Sequence, residues 1–319
     1  MTNMAGDKPF PYIQTRIVYF GMTGILSRVP LARLLAAGVN VAGIVLPASA
    51  LPPYLRGNDG RSHTQPAVPQ SSPPAATIYL TPPDVLQLAA QYRIPVTAAR
   101  QISQPQFLQA VARMEPDLIL VSCFPDKFPA SLLNLPRYGC WNLHPSLLPR
   151  FRGPAPLFWT FREGQNDTGV TLHLMDESLD TGDILQQAPF HLADGVSGPT
   201  AEQQLAELGG QLILQALAAL AEGVLSPRPQ PAGGSYYPLP KPDDFRLDTS
   251  WPARRAFNFM RGTAVWGRPY VVEVGPEEIW LDTAVSCQPR QRQNEPVVRD
   301  GRTVSIQFTP GVLTALSLT

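Results

Sequence analysis

The chain has 319 residues, with 25 Lys and Arg against 25 Asp and Glu, so its formal net charge is zero. Hydrophobic residues make up 44% and charged residues 16%, which is ample for one large or two modest domains; the neutral balance announces no nucleic-acid partner, although net charge hides local basic patches. Three cysteines, Cys123, Cys140 and Cys287, with no C-x-x-C pair argue against a disulfide scaffold or a zinc site.

Met1 to Gln14 reads as a loose leader, and no signal peptide or 18-residue apolar run is present, so a cytoplasmic protein with no membrane partner is expected. Arg16 to Phe20 is an apolar strand, Gly21 to Gly24 a turn, and Leu26 to Ala37 a helix with apolar spacing at Leu26, Val29, Leu31, Leu34 and Leu35. Gly38 suits a helix stop, and Val39 to Leu46 is a second strand. This order predicts a parallel α/β unit with a right-handed crossover. The turn lacks G-x-G-x-x-G, so a dinucleotide site is not indicated.

Pro47 to Pro83 holds nine prolines in 37 residues and reads as a long irregular loop, either a surface insertion or a substrate-facing segment. Helices are expected over Thr81 to Tyr92 and Ser103 to Met114, and strands over Ile94 to Thr97 and Asp117 to Val121. The last of these is continuously apolar, as in the middle of a parallel sheet, and Ser122 to Pro129 follows at its carboxyl end, the edge where open α/β sheets bind ligands.

The stretch from Gly139 to Ile184 carries the chemistry. If Trp141 to His144 closes a strand, two-residue alternation puts Asn142 and His144 on one face and turns Leu143 into packing. Asp180 sits in an S-L-D-T-G-D turn after the strand-like run Gly169 to Met175. A loop carboxylate near a strand-end imidazole is a general acid/base arrangement. His173, mid-strand among apolar neighbours, reads as a structural histidine, and Asp176 and Asp183 as residues that shape the turn. Arg150 and Arg152 beside Gly153 suit either a substrate phosphate or carboxylate, or a solvated basic turn. Farther on, Ala201 to Ala221 is helical, Pro227 to Gly234 a linker, and Trp251 to Gly262 a helix. Pro269 to Val274, Glu278 to Leu281 and Thr303 to Phe308 are short strands of a small β-barrel-like domain.

H-P-S-L-L-P-R-F-R-G from His144, followed by G-V-T-L-H-L-M-D-E-S-L-D-T-G-D from Gly169, resembles the formyltransferase family that uses 10-formyltetrahydrofolate, and within it the methionyl-tRNA branch. The resemblance implies a Rossmann-like parallel-sheet α/β catalytic domain over 1–225, a linker over 226–240 and a small C-terminal, OB-like domain over 241–319. It implies catalytic roles for Asn142, His144 and Asp180, and no metal. Phe124, Pro125, Lys127, Phe128, Asp176, Leu179 and Thr181 would line the 10-formyltetrahydrofolate pocket. Gly21, Thr23, Arg150, Arg152 and Gly153 would meet the acceptor. That acceptor is a primary amine, nominally of methionyl-tRNA. The 47–83 loop offers only Arg56, Arg61 and His63, and residues 241–319 carry ten Lys and Arg against nine Asp and Glu, which favours a small amine such as a nucleotide-linked amino sugar. A folate hydrolase is the remaining alternative.

Overall fold

The computed structural model describes residues 14–52 and 82–318. The leader over 1–13 and most of the Pro-rich loop, 53–81, lie outside the described residues. The chain divides into two compact units, each built from separate stretches: residues 1–144, 170–188 and 205–233, and residues 145–169, 189–204 and 234–319.

The first unit is organised on a seven-stranded sheet. Its strands are β1 (Ile17–Gly21), β2 (Val41–Pro47), β3 (Val96–Ala99), β4 (Leu118–Ser122), β5 (Cys140–His144), β6 (Asp167–Leu174) and β7 (Ile184–His191). They run in the order β3-β2-β1-β4-β5-β6-β7. The first five are mutually parallel, while β6 runs antiparallel to β5. Helices α1 (Ile25–Ala36), α2 (Val85–Gln91) and α3 (Pro105–Ala112) connect the parallel strands, as the apolar spacing predicts. β1 and β4 are buried at every position, which is why they read as unbroken apolar runs. A short helix α4 (Ala130–Leu133) precedes β5.

The carboxyl ends of β1 and β4 are tied by hydroxyls. Pro30 lies inside α1, and having no N–H it leaves the Leu26 carbonyl without its helical donor. The Ser122 hydroxyl donates to that carbonyl at 2.6 Å, and Ser27 Oγ donates back to Ser122 O at 2.6 Å. Tyr19 adds a bond to Ser27 O at 2.7 Å, and its burial raises its hydroxyl pKa. Beneath this edge, Phe20 is fully buried, 5.0 to 6.3 Å from the rings of Phe128, Phe124 and Phe107. Phe20→Ala is expected to cost about 3–5 kcal/mol, because the three aromatic rings around it cannot collapse onto the void. Denaturant titration reads this directly, and a loss below about 1 kcal/mol would contradict this packing account.

The second unit contains α5 (Pro156–Arg162), α7 (Ala253–Thr263) and a six-stranded sheet. The strands are β8 (Arg246–Leu247), β9 (Tyr270–Val274), β10 (Glu277–Gln288), β11 (Val297–Asp300), β12 (Thr303–Gln307) and β13 (Val312–Ser317), in the order β11-β12-β13-β10-β9-β8. Antiparallel pairing dominates, with hairpins closed at Gly275 and Gly301, both at positive φ. Phe158, Phe245, Phe259 and Tyr270 form the aromatic centre. The twelve residues of β10 exceed the predicted Glu278 to Leu281 because the strand pairs with β9 over its first half and β13 over its second. α5 escapes a periodicity reading because Pro156 to Phe161 are all buried, so no polar face marks it.

Candidate active site

β5 delivers the site. Leu143 is 3% exposed and faces Gly209 of helix α6 (Gly198–Ala221), where a Cβ would lie 2.5 Å from the leucine Cδ2. Asn142 and His144 therefore emerge together on the opposite face, as alternation requires. Cys140, on the same strand, is buried with its thiol pushed up to about 12, which removes it as a nucleophile near neutral pH.

Asp180 reaches this face from the turn between β6 and β7. Its Oδ1 accepts from Asn142 Nδ2 at 3.3 Å and lies 3.6 Å from His144 Nδ1. The carboxylate side chain is only 9% exposed and that of His144 5%, so the pair interacts with little screening by water. Asp180 holds φ +56°, a left-handed conformation costing a non-glycine residue roughly 1 kcal/mol. The turn holds it there. Asp176 Oδ1 accepts from Ser178 N at 2.9 Å and from Thr181 Oγ1 at 2.7 Å. Gly182 packs so closely under Leu174 O that a Cβ would sit 1.9 Å from it.

His173, which reads from the sequence as a structural histidine, lies in the same cluster. β5 and β6 are antiparallel, and the register sets His173 directly opposite Asn142. Its Nδ1 donates to Leu174 O at 2.7 Å. A neutral imidazole protonated there presents a lone pair at Nε2, which accepts from Asn142 Nδ2 at 3.2 Å. Nε2 is also 3.6 Å from Asp180 Oδ1. The asparagine amide thus points its N–H groups at one imidazole and one carboxylate, an orientation the reverse amide placement would make repulsive. The signal in the sequence was Thr171-Leu-His173, whose alternation needed the strand pairing to acquire a direction.

Asp176, Leu179 and Thr181 share the Asp180 turn, with Leu179 43% exposed. Lys127 and Phe128 border an open cleft of about 650 Å³ together with Arg100, Gln104, Asp126 and Glu177. The Phe128 ring itself is 3% exposed and is spent in the Phe20 cluster, 5.9 Å from Phe124. Pro125 is exposed in the same loop. Gly21 ends β1, with room for a Cβ only 2.9 Å from Tyr19, and Thr23 is exposed in the following turn. Arg150, Arg152 and Gly153 lie in the second unit. There Arg150 stacks on Phe151 and donates to Gln165 Oε1 at 3.2 Å. Arg152 pairs its backbone with Ser235 and Tyr237, and Gly153 at φ +114° lies under Tyr237 O.

Among the described residues, no helix is long and apolar enough to cross a membrane. Residues 59–217 match the family model described as formyl transferase. Two curated relatives are methionyl-tRNA formyltransferases. That of Thermodesulfovibrio yellowstonii is 33% identical over 60% of this chain and 62% of the relative. That of Pelobacter propionicus is 38% identical over 59% of each. The chain thus spans about three-fifths of the length of these relatives. The fold is shared with solved structures. An N-formyltransferase from Helicobacter canadensis, in complex with folinic acid and dTDP-3-aminofucose, superposes with TM-score 0.62 at 12% identity, covering 95% of this chain and 99% of that one. HypX from Aquifex aeolicus in complex with tetrahydrofolic acid gives 0.56 at 18%, covering 93% and 43%. On their match to the family model and to the curated relatives, residues 59–217 belong to the formyl transferase family.

Proposed function

We propose that this protein transfers a formyl group from 10-formyltetrahydrofolate to a primary amine. The observation that carries the proposal is the meeting of Asn142, His144 and Asp180 at one strand end within the stretch that belongs to this family. In this reaction the amine nitrogen attacks the formyl carbon, and the carbonyl oxygen becomes an oxyanion. Collapse breaks the bond to folate N10, which leaves with a proton, while the attacking nitrogen loses one. Asn142 would release one N–H from its long, 3.3 Å contact with Asp180 to the oxyanion, with His144 as the second donor. Asp180 holds the imidazole through Nδ1 and, directly or through water, takes up the amine proton.

Folate would lie between the 122–129 loop and the 176–182 turn. Arg100 and Lys127, both in the cleft there, suit the carboxylates of its glutamate tail. The nominal acceptor is methionyl-tRNA, the substrate in the names of the curated relatives. A small amine is the second reading, favoured by the zero net charge and by the ten-to-nine balance over residues 241–319. Charged initiator tRNA and a nucleotide-linked amino sugar, each supplied with 10-formyltetrahydrofolate, separate the two. A tRNA acceptor held through about five phosphates gives affinity falling with log salt at a slope of about −0.7 to −0.9 per phosphate. A flat salt response with formylation of the amino sugar gives the case to the small amine. Formate release with neither acceptor modified would sink the transferase reading.

A further inference from the structure

The segment after α6 reads in sequence as a linker, and it supports the site. Its text is Pro227-Arg-Pro-Gln-Pro231. Alternating prolines fix φ and push each preceding residue into extended backbone, so the segment is stiff before it docks. Arg228, one of its two non-proline residues between the flanking prolines, exchanges both backbone hydrogen bonds with Ile184, N to O at 2.9 Å and O from N at 2.8 Å. Ile184 begins β7, immediately after the Asp180 turn. That anchor sets Gln230, two residues on, against the turn itself. Gln230 Nε2 donates to Asp180 O and to Gly182 O, both at 2.8 Å. A primary amide has two N–H groups on one nitrogen, and here both go to the carbonyls on either side of Thr181.

We infer that Gln230 is a positioning residue, which clamps the turn so that Asp180 keeps its left-handed backbone and its carboxylate stays on Asn142 and His144. Asp176 closes the turn from within, through Ser178 and Thr181. Neither bond reaches the carbonyl of Asp180, the residue that holds the unfavourable φ. Gln230 supplies a donor to that carbonyl from outside the turn, on a segment whose own position is fixed two residues earlier. Met would fill the same space with no donor, and Glu would set an acceptor against two carbonyls.

The inference rests on the formyl-transfer reading for its kinetic arm alone. In the first arm, imidazole signals of His144 and His173 are followed by NMR in Gln230→Met. Both rings lie 3.6 Å from the Asp180 carboxylate, so both signals move, whereas His191, paired with Asp167, keeps its own. In the second arm, turnover falls about ten- to a hundredfold, the loss expected for a shift of about 1 Å in a reacting group, with KM for folate changed less than about threefold. In an Asp180→Asn background the same substitution costs less than about twofold, since the clamp then has no carboxylate to place. Gln230→Glu carries the same expectations if the Met variant does not fold. Unmoved His144 and His173 signals, or full additivity with Asp180→Asn, overturn the inference. Moved signals in a protein that formylates no amine leave the clamp standing and refute the transferase reading instead.

Discussion

His144→Ala is expected to lower formyl-transfer turnover at least about a hundredfold while the protein remains folded. Asn142→Ala follows with a similar loss. Removing one donor to a developing oxyanion typically costs roughly 3 kcal/mol in the barrier, close to two orders of magnitude in rate. His144 is 4% exposed at the end of β5, beside a carboxylate that is itself shielded, so no water of bulk character stands ready to replace it. The two substitutions should not simply add. Asn142 and His144 both touch Asp180 Oδ1, and removing either releases the carboxylate from one of its partners. Steady-state kinetics on each variant and on the pair, with circular dichroism to confirm folding, checks this. A folded His144→Ala protein with near-normal turnover would remove the imidazole from the mechanism.

Gly182→Ala is expected to be as damaging as losing Asp180, although it deletes no functional group. A methyl at 182 would lie 1.9 Å from Leu174 O and 2.8 Å from Leu174 C, both backbone atoms that have no rotamer to escape into. Leu174 is held from both sides. Its N–H donates to Asp183 O at 2.9 Å, and its carbonyl accepts a hydrogen bond from His173 Nδ1 at 2.7 Å. Relieving the clash therefore shifts the Asp180 turn, the His173 ring, or both. We expect turnover to fall by at least about a hundredfold, with stability reduced by only about 1–3 kcal/mol, the usual range for overpacking. The split between those two readouts is the test: a variant that keeps near-normal turnover shows that the turn tolerates the shift, and the account of a rigid Asp180 platform fails.

Two of the three proposed catalytic groups are legible in the text because they share one strand. Asn142 and His144 are two residues apart, and no packing arrangement of a strand can separate them onto different faces. Asp180 was legible through its turn chemistry, since Asp, Thr and Gly in S-L-D-T-G-D are residues that shape tight backbone. His173 was not. Its neighbours Leu172 and Leu174 mark only a strand, and it joins the site because β6 runs antiparallel to β5 with His173 in register with Asn142. Register is a property of two segments, and neither alone contains it.

The same distinction runs through the rest of the molecule. Local patterning by itself determined the parallel α/β core: the apolar runs of β1 and β4, the helical spacing of α1 and the extended proline segment at 227–231 each follow from nearest-neighbour preferences along the chain. Only the tertiary structure decided that β6 enters the sheet antiparallel, that the Ser122 hydroxyl serves the carbonyl left by Pro30, and that Gln230 reaches back 50 residues to hold the turn of Asp180. Each of these is a hydrogen bond between groups far apart in sequence, specified by which donors and acceptors are left over once local structure has formed, and that remainder appears only when the segments are brought together.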